Sequence, residues 1–159
     1  MKKLFLTLSF LAVVMVAQAQ SKSVASLKDK YKADDDFFHL ELGGSFMNFA
    51  EGFKIDIDED DLATVAKSVE KLNFFTLPEG TDTFSEYKML QKGLENERYE
   101  LLMEAAEGKG GVMIYSKGAS IISDLVILVE DEKEGDLMVI ELKGKFTQEA
   151  LAKATAQVN

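Results

Sequence analysis

The chain has 159 residues, no cysteine, one histidine, and a formal net charge of −10 from 28 acidic and 18 basic side chains. A surface that acidic repels nucleic acid and anionic lipid headgroups, so neither is an expected partner. Without cysteine there is no disulfide, no thiolate nucleophile and no cysteine-bound zinc.

The chain opens "MKKLFLTLSFLAVVMVAQAQ", with a basic start at Lys2 and Lys3, an apolar run over 4–16, and Ala17-Gln18-Ala19 as a small-x-small cleavage signature. These three parts make a secretory signal peptide over residues 1–19, with the mature chain beginning at Gln20. The apolar run is about a dozen residues, short of the ~20 that span a bilayer, and no second run of that length follows. No transmembrane segment is therefore expected after signal removal, and the mature chain should be soluble. It keeps about 140 residues, enough for one domain with a real core, so residues 20–159 read as a single α+β domain. Both signal lysines leave with the leader and no acid does, which makes the mature chain more acidic still. The cysteine that carries lipid in a bacterial lipoprotein is missing after the leader, so the expected location is the periplasm or the medium. A cysteine-free exported domain also fits a bacterium better than a eukaryotic secretory pathway.

Over 21–32, Val24, Leu27 and Tyr31 recur at helical spacing. "DDDFFHLEL" then alternates Phe38, Leu40 and Leu42 against His39 and Glu41, a half-buried strand stopped by Gly43-Gly44. "SFMNFAEGF" suits a short helix opened by Ser45. Leu62, Val65, Ala66, Val69 and Leu72 form the cleanest helical stripe of the chain, predicting a helix over 58–72. "NFFTLPEG" reads as a short strand ended by Pro78 and Gly80. From Thr83 to Glu107 the pattern is helical, either one long helix or two with a break over 93–96.

After "GKGG" the period becomes strand-like. "VMIYS", "SIISDLVILVE" and "DLMVIELKG" are separated by connectors short enough for hairpins. A last helix begins near Thr147. The expected fold is α+β: a mostly antiparallel sheet of about five strands, helices packed on one face, and a C-terminal three-strand meander.

Candidate chemistry is sparse. "DIDEDD" places Asp56, Asp58 and Asp60 at every second position, the rhythm of a calcium loop. Counted from Asp56, however, the sharp-turn glycine position holds Asp61 and the closing glutamate position holds Lys67. Asp58 fits better as an N-cap, with Glu59, Asp60 and Asp61 at the positive end of the helix dipole. Asp56, Asp58 and Asp60 are thus at most a weak cation site, and no metal is expected.

His39 alone lacks the further ligands that zinc needs. On the alternation it shares a solvent-side face with Phe37 and Glu41. In "EGKGGVMIYSKG" the glycines leave a helix and enter a strand, the reverse of a phosphate loop, so no nucleotide cofactor is expected. No nucleophile elbow is present. Paired carboxylates are plentiful but cannot be located. Of the pairs Phe37-Phe38 and Phe74-Phe75, one ring each should face the helices and the other the opposite face. Were that face open, Phe37 and Phe75 would make an exposed apolar patch of the kind that marks partner surfaces. Helices or a second copy covering both faces is the alternative.

Together, "SLKDKYKADDDFFHLEL", "YELLMEAAEGKGGVMIYSKG" and "ISDLVILVEDEKEGDLMVIELKGKFTQEAL" resemble the bacterial cell-envelope family DUF4252. The likeness is carried by residues 112–115, 125–129 and 139–146, in the family's order. It implies a Bacteroidota-type envelope protein and the fold, and brings no catalytic residue. Lipoproteins are common in that family, and this chain departs from them by lacking the cysteine. The expectation is a non-enzymatic module that binds an envelope protein or small ligand through Phe37, Phe75 and His39. The alternative is a periplasmic hydrolase using acidic residues in a groove. No oligomeric state follows from these residues.

Overall fold

The computed structural model describes residues 20–44, 67–107, 110–131 and 135–156. Among them lie three helices, α1 (Lys22–Tyr31), α2 (Thr83–Asn96) and α3 (Gln148–Ala156). Six strands, β1 (Phe38–Gly43), β2 (Val69–Thr76), β3 (Glu100–Glu107), β4 (Gly110–Gly118), β5 (Ile121–Asp131) and β6 (Asp136–Thr147), form one antiparallel sheet. Its order is β1-β2-β6-β5-β4-β3, so β6 is central and β1 and β3 are the edges. The α+β expectation holds with one strand more, and the C-terminal meander has four strands.

The helices start where the sequence supplies acceptors. Ser21 caps α1 by accepting from the Val24 amide at 3.2 Å, and Asp82 caps α2 by accepting from the Ser85 amide at 3.2 Å. Val24 and Leu27 of α1 and Tyr87, Leu90 and Leu94 of α2 then face the sheet at helical spacing. They meet Phe75, Leu77, Val126, Leu128, Leu137 and Val139 in the principal core. The alternate residues of the same strands point the other way. There Leu72, Leu125 and Leu142 join Val69, Ile122 and Phe146, with Leu151 of α3 against them.

Two helix expectations are corrected. The second half of 83–107, "ELLMEAAE" included, is the strand β3. Helix α2 ends in a left-handed residue, Arg98 (φ 64), whose amide bonds the Glu95 carbonyl at 3.0 Å while that of Tyr99 bonds the Leu94 carbonyl at 3.0 Å. This pair of reversed bonds closes the helix, and it forms without the glycine that usually signals it. Pairing from Glu107↔Gly110 to Glu100↔Ser116 then holds good helix formers extended, because the ladder bonds to β4 outweigh intrinsic propensity.

Likewise the stripe predicted as a helix over 58–72 ends in strand β2 from Val69 on, where β1 and β6 pair with it from both sides. Leu62, Val65, Ala66, the "SFMNFAEGF" segment and Asp56, Asp58 and Asp60 lie outside the described residues.

Gly93 is where α1 and α2 touch. A Cβ there would come within 2.1 Å of Ser23 Oγ and 2.7 Å of Ser23 Cβ. Rotating the serine relieves only the first contact. Gly93→Ala is therefore expected to lower stability by about 1–3 kcal/mol through overpacking, despite the ~1 kcal/mol that alanine gains in helix propensity. Urea unfolding measures this. A more stable G93A would show that the helices do not approach at this point.

Candidate functional site

Pairing of β1, β2 and β6 sets Glu41, Asn73 and Glu141 in one row on the face covered by α1 and α2. His39 lies beside this row, with Nε2 at 2.9 Å from Asn73 Oδ1. The Asn73 amide donates to Glu141 Oε2 at 3.3 Å. Glu141 is only 2% exposed, and its carboxylate also accepts from the Ser21 backbone amide at 3.0 Å and the Gln20 side-chain amide at 3.3 Å. The start of α1 thus closes over it.

Glu41, at the edge of the row, and Glu97, beside it, each have their own partners. Glu41 accepts from Lys71 at 2.7 Å and pairs with Lys28 at 3.5 Å. The Lys71 hydrogen bond in particular holds the Glu41 carboxyl below its ordinary range, against a smaller opposing effect of burial. Glu97, just past α2, accepts from the backbone amides of Lys22 at 2.9 Å and Ser23 at 2.7 Å, and from the Ser23 hydroxyl. Burial alone would raise its pKa, but these hydrogen bonds together outweigh it and leave the group lowered. Glu97 therefore satisfies the orphan amides at the start of α1 with a charge that the helix dipole favours. The Tyr99 hydroxyl is buried without a hydrogen-bond partner. Burial, first, and the nearby negative charges of Asp124, Glu141 and Glu97 push its pKa far up, so it stays neutral.

The His39–Asn73–Glu141 chain orients an imidazole but presents no nucleophile to it, because no serine or threonine hydroxyl bonds His39 among the described residues. Glu41 and Glu141 stand two strands apart, about 9–10 Å between backbones, and only Glu41 meets solvent. An acid/base pair on a bound substrate needs both groups within reach of it, so this row supports the architecture more than a reaction. No three histidine or acidic side chains gather as a metal site among the described residues.

Phe75 is fully buried and Phe37 is half-buried against the helix-side core, with ring centroids 5.7 Å apart. Each aromatic pair does split across the sheet, but the expected members are exchanged. His39 lies opposite Phe75 in the register, so His39 and Glu41 sit on the helix-side face of the sheet, where both still meet solvent at the edge strand. The exposed ring is Phe38, at 55%, which meets Phe74 edge-on at 5.8 Å on the other face, next to exposed Leu40. A one-residue error in strand phase reverses every side chain.

An open groove of about 650 Å³ lies between the β3 edge, β4 and α3. Leu102, Met103, Ala105, Ile122 and Leu151 give it apolar walls, and Glu100 and Glu104 stand at its margin. A bulge between Leu101 and Met103 leaves Leu102 without a pairing partner on β4, and Leu101 and Leu102 are 48% and 45% exposed. Bulges of this kind re-aim side chains at sheet edges. A smaller crevice of about 320 Å³ between α1 and α2 is lined by Ser26, Lys30, Glu86 and Met89. There the buried Glu86 carboxylate holds the Lys30 ammonium and, at 2.8 Å, the Tyr31 hydroxyl.

The family described as Domain of unknown function (DUF4252) matches residues 31–154, which is most of the chain and every strand of the sheet. The chain belongs to the DUF4252 family. No curated protein and no solved structure matches it. In this DUF4252 chain the matched span begins at the last residue of α1, so Glu141 lies inside it while two of its three donors, Gln20 and Ser21, lie before it. No helix among the described residues is long and apolar enough to cross a membrane.

Sequence reasoning did not find Glu141, Asn73 or Glu97. For Glu141 a signal existed: in "LMVIELKG" a single carboxylate interrupts an apolar run, and a run that is apolar on both faces marks a central strand. For Glu97 no local pattern exists, since its partners are more than seventy residues away.

Proposed function

We propose that this DUF4252 protein is exported to the cell envelope and acts there as a non-enzymatic binding module. Its groove at the β3 edge takes an apolar segment of another envelope protein. The observation that carries this reading is the combination of an edge strand, a bulge presenting Leu102, and apolar walls from Ile122 and Leu151. An edge strand offers unpaired backbone groups to an added strand, while side-chain pockets supply selectivity. Glu100 and Glu104 at the margin favour a segment flanked by lysine or arginine. Export is supported by the leader pattern over residues 1–19, and the missing lipid-bearing cysteine favours the periplasm or the medium.

The test places a photo-crosslinking side chain at position 102 of the exported protein and, as a control, at exposed Ser85 on α2. One adduct formed in the envelope from position 102 and not from position 85 is expected. Equal labelling from both positions, or none, would contradict a site at the β3 edge. Cell fractionation reads the export part separately.

A further inference from the structure

Glu141 is a buried carboxylate whose partners among the described residues are all neutral: the Ser21 amide, the Gln20 carboxamide and the Asn73 carboxamide. The charges around it do not supply a cation. On β2, Lys71 pairs with Glu41, and on β6, Lys143 pairs with Asp124 at 3.5 Å. On β1, His39 reaches Asn73 and not Glu141. Past α2, Glu97 binds the start of α1, and Tyr99 adds a neutral, unpartnered hydroxyl. Holding a carboxylate in such a place is costly unless a positive charge offsets it.

Residues 20 and 21 both already bond this carboxylate, one through its side chain and one through its backbone. The backbone nitrogen of Gln20 is only three covalent bonds upstream of the Ser21 nitrogen, about 3–4 Å away by standard geometry. In the unprocessed chain that nitrogen is an amide. It is also the nitrogen that leader removal would change.

We propose that cleavage after Ala19 supplies the missing counter-charge: the new α-ammonium of Gln20 ion-pairs with Glu141, so processing completes the fold. The proposal rests on the export reading. Water adds across the Ala19–Gln20 peptide bond, leaving a carboxylate on the released leader and an amine on Gln20. That amine takes up a proton below its usual pKa of about 8. A buried pair of this kind seats the start of α1 and, through Ser21 and Asn73, fixes His39. The Gln20 α-amine, protonated and paired with Glu141, is kept from attacking its own side-chain carboxamide, so the N-terminus stays uncyclised.

The test compares four forms of the chain starting at Gln20: free amine or Nα-acetylated, each with Glu141 or with Glu141→Gln. The free amine is expected to shift the unfolding equilibrium toward the native state by about tenfold or more in the Glu141 chain, and little in E141Q. An equal shift in both backgrounds, or no shift, overturns the proposal. Should E141Q fail to fold, acylation of the α-amine decides in the unsubstituted chain. Protection of about tenfold or more relative to the urea-unfolded chain is expected from a buried charged hydrogen bond, and equal reactivity overturns it. Intact mass separates the two readings. Protein from the envelope that keeps its leader contradicts export itself, whereas processed protein that has lost ammonia from its N-terminus contradicts only the ion pair.

Discussion

Phe75→Ala is expected to destabilise the protein by about 3–5 kcal/mol, the range for removing a buried phenylalanine ring from a core. Phe75 is 0% exposed and sits on β2 between β1 and β6, with the Phe37 ring against it and Val139 beside it in the register. Alanine would leave a cavity walled by strand backbones on both sides, and a paired sheet cannot collapse into it as a surface can. Since small domains are stable by only about 5–15 kcal/mol, this single change removes a large share. Urea unfolding with an unchanged slope would report it. The companion Phe38→Ala, at a ring 55% exposed, should cost less than about 0.5–1 kcal/mol. The opposite ranking would place Phe75 on an open surface and overturn the β1–β2 register.

Val69→Asp should abolish folding altogether. Val69 is 8% exposed and packs with Ile122, Leu125, Phe146 and Leu151 on the second face of the sheet. It is paired with Gly144, where even a Cβ on the glycine would approach the Ser68 carbonyl to 2.0 Å, so β2 and β6 approach closely there and leave no space for a larger group. A carboxylate placed there finds no partner in that apolar cluster and costs several kcal/mol, on the order of the whole stability. Circular dichroism and a thermal melt read the outcome. A V69D chain that melts like the parent would show that this second cluster is not core, and that the sheet depends on the α1–α2 side alone.

Much of the architecture was legible because period and punctuation agreed. In α1, capped by Ser21, and in β4, β5 and β6, bounded by Gly118 and Gly135, spacing and turn residues pointed the same way. Where they disagreed, tertiary pairing decided. The alanine- and leucine-rich run of β3 had a helical composition, and Arg98 turned the chain without glycine or proline to announce it. Val69 and Leu72 fitted a helical stripe because spacing by three belongs to a helix, and it is the bulge between Val69 and Lys71 that brings both to one face of the strand.

The polar row was harder still. Glu41, Asn73 and Glu141 come from three strands whose order is set by the fold, and no local pattern encodes their meeting. The groove was illegible for a related reason. Leu102 and Leu151 are about fifty residues apart, and the bulge that aims Leu102 outward leaves no mark on composition.

The central claim is that the β3-edge groove binds an envelope protein, and one measurement tests it most directly. Tagged, exported protein is crosslinked in its own cell envelope and recovered for mass spectrometry, beside a Leu102→Asp form and a form without residues 1–19. The account predicts one reproducible partner with the unchanged chain, and its loss in both controls while L102D remains folded. Recovery of the protein alone, or of the same partner with L102D, would contradict it.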